Sequence, residues 1–124
     1  MASKGIKGIT VEFNGETQGL DKALQTVNTN AKKTQAALRD VDKALKLNPS
    51  STELLTEKQT ALQAAVSAAR DKVKDLEAVQ EQVKQQYAAG EIDQGAYAQF
   101  QLELETASAN LKKLEEQQKQ FGNV

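Results

Sequence analysis

Apolar residues recur at alternating spacings of four and three along three stretches of this chain. The first stripe reads Leu20, Leu24, Val27, Ala31, Thr34, Leu38, Val41, Leu45; the second Leu62, Val66, Ala69, Val73, Leu76, Gln80, Val83, Tyr87; the third Tyr97, Phe100, Leu104, Ala107, Leu111, Leu114, Gln118, Phe121. A mean repeat of about 3.5 residues keeps one narrow stripe turned toward a neighbouring helix. The pattern predicts an all-α chain of antiparallel helical hairpins, a three-helix coiled-coil-like bundle, with the larger apolar members of each stripe as the candidate helix seam. The stripes differ in strength. Ala31 and Thr34 leave the middle of the first with little to bury, while Gln80 and Gln118 interrupt the other two. A polar seam residue either fixes register or simply weakens the seam, and both readings stay open. The expectation is a modestly stable segment, able to shift between a compact bundle and open helices that associate with other copies.

The opening follows a different period. From Gly8 to Phe13, Ile9, Val11 and Phe13 alternate with Thr10 and Glu12, the mark of a short half-buried β-strand, and Asn14-Gly15 follows as a turn. A lone strand leaves backbone N–H and C=O groups unpaired, so its expected partner is another copy, a neighbouring protein or water. Alternation over so few residues also fits an irregular leader. If it is a strand, Ile9, Val11 and Phe13 are the candidate partner-contact residues, acting by strand addition.

Punctuation along the chain sets the expected boundaries: an N-terminal strand or leader over 1–16, a helical hairpin region over 17–121, and a truncated end at 122–124. Within the hairpin region the helices are expected at about 17–47, 51–89 and 94–120, with Thr17 as the first cap. Asn48-Pro49 stops the first helix, because a residue before proline is pushed out of the helical region. Ser50 and Glu53 fit a capping box for the second, which favours a short corner over a proline kink in one rod. Gly90 suits a left-handed C-terminal cap, Asp93 an N-cap, and Ile92 with Tyr97 a hydrophobic staple across the next corner. The stop directly after Gly122-Asn123 reads as an internal cut in a longer chain.

Composition narrows the chemistry. With 39% hydrophobic residues, many of them alanine, 124 residues suffice for one slender domain with a seam but not for a thick core. Sixteen Lys and Arg against seventeen Asp and Glu are interspersed, so no one-signed stripe for nucleic acid or a membrane surface forms, and Lys32, Lys33 and Arg39 read as solvated helix positions. There is no cysteine and no histidine. That excludes disulfides and thiol catalysis and removes the commonest general base and zinc ligand, so no catalytic, cofactor or metal residues are expected. The apolar runs are too short for a membrane span or a signal-peptide core.

The order of local features resembles the amino-terminal segment of the tail tape measure proteins of long-tailed bacteriophages. The residues that carry the likeness are Gly5-Ile6-Lys7-Gly8-Ile9-Thr10-Val11-Glu12-Phe13, Gly15-Glu16-Thr17, Leu20-Asp21-Lys22-Ala23-Leu24, Leu45-Lys46-Leu47-Asn48-Pro49, Thr52-Glu53-Leu54-Leu55, and Gly90-Glu91-Ile92 with Tyr97. The resemblance covers nearly the whole chain. Family members are normally many times longer, and the hydrophobic stretches and cell-wall-degrading modules that some carry are absent here. The resemblance implies a non-catalytic structural protein that sets tail length, templates tail tube assembly, and leaves the tube ahead of the genome during ejection. It implies self-association and contacts with tail assembly chaperones, tail tube and tail tip proteins, first in the host cytoplasm and then in the virion tail lumen. Because Pro49 and Gly90 favour folding back, a compact end-piece is expected rather than the measuring rod itself. The alternative is a small helical-hairpin adaptor or secreted helical effector acting by helix–helix binding; small secreted hairpins usually carry Trp-x-Gly at the bend, and this chain has no tryptophan.

Overall fold

The computed structural model describes residues 8–13 and 15–122, and it is mostly helical with a short two-stranded sheet at the start. Strand β1 (Thr10–Phe13) and strand β2 (Glu16–Gly19) are followed by helices α1 (Leu20–Ala23), α2 (Gln25–Leu47), α3 (Thr52–Ala88) and α4 (Gln94–Gly122). The expected strand is present, but its partner is internal. β1 pairs antiparallel with β2, Val11 opposite Gln18 and Phe13 opposite Glu16. The hairpin tightens at Gly15, whose φ of +81° lies in the left-handed region that glycine adopts without a Cβ clash. Asn14, the other half of the expected turn, lies outside the described residues, as do Gly5-Ile6-Lys7 of the opening motif and Asn123-Val124 of the expected end.

Recruitment of Glu16–Gly19 into the sheet displaces the first helix start. Thr17 is a β2 residue rather than a cap, and helix begins at Leu20 after an extended Gly19. The start is not smooth: Leu24 sits between α1 and α2 with φ −96° and ψ −2°, while its N–H donates to the Leu20 carbonyl at 3.0 Å. Both leucines are fully buried beneath the hairpin, so the irregular turn lets one short segment seat two core side chains.

The corners follow the local chemistry, with one shift of register. Asn48 leaves helical geometry ahead of Pro49, and Ser51 rather than Ser50 caps α3, its hydroxyl accepting from the Leu54 N–H at 3.1 Å. Glu53 therefore lies in the first turn, where its charge suits the helix dipole, and not at the capping-box position. At the far corner Gly90 N–H donates to the Tyr87 carbonyl at 3.1 Å and Glu91 N–H to the Gln86 carbonyl at 2.9 Å, the paired bonds of a Schellman motif. Asp93 caps α4 through the Ala96 N–H at 2.7 Å. Gly90 has φ +77° and nothing near the place a Cβ would occupy, so alanine there meets only its own backbone penalty. Gly90→Ala is expected to cost about 1–2 kcal/mol in urea unfolding, and an unchanged midpoint would contradict the left-handed cap.

α3 is the central helix. Ion pairs join Lys58 to Asp42 of α2 at 2.9 Å, and Arg70 to Glu115 and Lys72 to Glu103 of α4 at 3.1 and 3.8 Å. Residue numbers rise along α3 as they fall along α4, so those two helices run antiparallel; the short corner before Ser51 turns α2 back on α3 in the same way. α3 packs along both neighbours, which its burial explains. Beside the stripe Leu62, Val66, Ala69, Leu76 and Val83 it buries a second row, Ala61, Ala65, Ala68 and Val79.

The interior divides into two clusters along this axis. One joins Ile9, Val11, Leu20 and Leu24 to Leu76, Val79, Val83, Ala96, Phe100 and Ala107, with Phe13, Val73, Tyr97 and Leu104 partly buried against it. The other joins Leu38 to Ala61, Leu62, Ala65, Val66, Ala69 and Leu114, with Leu111 and Phe121 beside it. Of the remaining seam positions, Val27, Val41 and Leu45 are partly buried, while Tyr87 is 38% exposed.

Candidate interaction surfaces

The expected contact strand does not present its side chains. Ile9 and Val11 are almost wholly buried and Phe13 partly so, all against the helices. Its backbone edge is occupied as well. The Leu20 N–H donates to the Ile9 carbonyl at 2.8 Å, which fixes the phase of the ladder: Ile9, Val11 and Phe13 turn their backbone groups toward β2, and Thr10 and Glu12 turn theirs outward. The outward groups meet α3. The Gln82 carboxamide accepts from the Glu12 N–H and donates to the Glu12 carbonyl, both at 2.8 Å, while Gln86 donates to the Thr10 carbonyl. Two glutamines one helical turn apart thus stand where a third strand would lie. Strand addition at β1 is accordingly blocked, and the available edge of the sheet is β2, where Glu16 and Thr17 are exposed.

Three further surfaces are open. At the α3–α4 corner the Tyr87 and Tyr97 rings stack in parallel with centroids 4.3 Å apart, and Tyr97 Oη accepts from Gln101. Leu102, 57% exposed, shares that recess with them. Between α2 and α4 runs a shallow groove with Leu38 and Leu114 at its floor and Arg39, Asp42, Lys113 and Gln117 at its rim. At the α2–α3 corner Leu47 stands 90% exposed and Leu55 is partly so. Lys32, Lys33 and Arg39 are exposed helix positions, in keeping with the solvated reading.

Electrostatics here is local. The three ion pairs tie α3 to its neighbours at partly exposed sites, where such pairs contribute little. Asp75, partly buried on α3, has its carboxyl raised above the ordinary range by burial and then by Asp71 one turn away, against the pull of Lys74. A folded-state pKa above the unfolded one means that the folded chain holds the extra proton. Stability therefore falls as pH rises from the unfolded pKa through the raised one, and the ionised form carries the penalty at neutral pH. Asp75→Asn is expected to raise the neutral-pH urea midpoint and to flatten its dependence on mild acidification. Parallel pH profiles for the two proteins would contradict this assignment.

The described residues contain no group of three or more His, Cys, Asp or Glu able to hold a metal ion, and no helix long and apolar enough to cross a membrane. The seam stripes located the larger core side chains, but Gln82 and Gln86 went unread. Their signal is a four-residue spacing beside the buried Val79 and Val83, which singles out no glutamine until the hairpin's place is known. Comparisons of the chain with protein-family models, curated proteins and solved structures give no match.

Proposed function

We propose that this chain is the amino-terminal segment of a bacteriophage tail tape measure protein and acts there as a folded, non-catalytic end-piece. The observation that carries the reading is the order of short motifs along nearly the whole chain. They coincide with its structural punctuation: Gly8–Phe13 and Gly15-Glu16-Thr17 form the hairpin, Leu20–Leu24 the turn beneath it, Asn48-Pro49 and Gly90-Glu91-Ile92 the two corners. In this reading α2, α3 and α4 work as a coiled-coil-like three-helix bundle about as long as α3, whose 37 residues span about 55 Å. Such a body suits one end of a ruler, engaging other copies, tail assembly chaperones, and tube or tip proteins in the host cytoplasm before it is enclosed in the tail lumen. It needs no catalytic group, cofactor, metal or nucleic-acid site.

The test is removal of residues 8–122 from the parent reading frame, followed by electron microscopy of lysates. Tails that are missing or of uncontrolled length are expected; normal numbers of normal-length, infectious particles would contradict the proposal. The groove between α2 and α4 favours a second reading, a helical-hairpin adaptor that binds a partner helix. A reading frame that ends at Val124 away from tail genes would favour the adaptor.

A further inference from the structure

We infer that the β2 edge pairs with the β2 edge of a second copy, joining two hairpins into one four-stranded antiparallel sheet across a two-fold axis at Thr17. The two edges of this sheet are treated differently. On β1 the outward groups of Glu12 and the outward carbonyl of Thr10 are taken by Gln82 and Gln86. On β2 the ladder phase turns the backbone N–H and C=O of Thr17 outward, and among the described residues they have no hydrogen-bond partner. β2 is a short edge of four residues whose one charge is Glu16, and it contains neither lysine nor proline.

The register itself favours a second copy. With Thr17 opposite Thr17 of the second copy, each N–H donates to the other's carbonyl and the two side chains form a β-branched cross-strand pair. Glu16 then faces Gln18, so the single carboxylate of each strand meets a neutral amide instead of its own kind. Gly19 falls opposite Gly15, which leaves both ends without a side chain to obstruct approach. A net charge of −1 adds little general repulsion between copies. The contact is small, so association is weak in dilute solution and strengthens where copies are held side by side. It names a surface for the self-association proposed above, but its test uses the purified chain and does not depend on tail function.

Sedimentation equilibrium of the full chain up to about 1 mM, the scale appropriate to a contact this small, tests the pairing. The native chain is expected to rise in apparent mass toward a dimer. Thr17→Pro, which removes only an outward N–H, should stay monomeric with unchanged helix content. A native chain that remains monomeric, or a folded proline variant that dimerises equally well, overturns the inference. The second measurement is disulfide trapping in this cysteine-free chain, which decides the matter if the proline variant does not fold. Thr17→Cys should cross-link at least about tenfold faster than Thr10→Cys on the blocked strand, and equal rates overturn the pairing.

Discussion

Truncation of Phe100 to alanine is expected to lower stability by about 3–5 kcal/mol, the range for loss of a buried aromatic side chain. Phe100 is 0% exposed in the cluster where α3, α4 and the hairpin meet. Its neighbours there come from three separate parts of the chain, so no single side chain can swing in to fill the space. The second cluster is rich in alanine and has less to lose per residue. Phe121→Ala, at its partly exposed rim beside Lys58, should cost well under half as much. Urea unfolding followed by circular dichroism distinguishes the two; equal midpoints for the two variants would mean that the hairpin-end cluster does not hold the fold together.

Proline at Val11 is the second large effect. Val11 is buried, and the ladder phase turns its N–H toward Gln18 of β2. The substitution removes a bond inside the sheet, leaves the Gln18 carbonyl unpaired, and is expected to cost about 2–3 kcal/mol. The helices keep their own hydrogen bonds, so the dichroism of the folded protein should change little while its urea midpoint drops. An unchanged midpoint would show that the hairpin contributes nothing to the fold, and the burial of Ile9 and Val11 makes that outcome incompatible with this account.

Helices and corners were legible because each rests on local chemistry. A 3.5-residue stripe, a proline that stops one helix, a glycine at positive φ and an aspartate at an N-cap all act within a few residues. Apart from the one-residue shift of the α3 cap to Ser51, errors arose where a segment's state depends on something distant. Glu16–Gly19 has no apolar alternation of its own and becomes a strand because β1 lies beside it, so Thr17 read as a helix cap. The alanines at 61, 65 and 68 lie off the expected stripe; their burial follows from α3 having two helical neighbours rather than one. The same dependence hid the open edge of the sheet. Ile9, Val11 and Phe13 carried the clearest strand signal because they are core residues, whereas the open edge belongs to the polar strand that the pattern did not mark.

If the chain is the proposed end-piece and works folded back on itself, tail length is the direct readout. Deleting about 28 residues in matched whole heptads from α3 and α4 of the parent protein preserves both corners and the seam register. With removal of the whole segment as the reference for loss of function, a folded end-piece predicts tails of normal length. Tails shortened by about 42 Å, the span of that many residues in an extended helix, would instead make this region an open part of the ruler and not a folded end-piece.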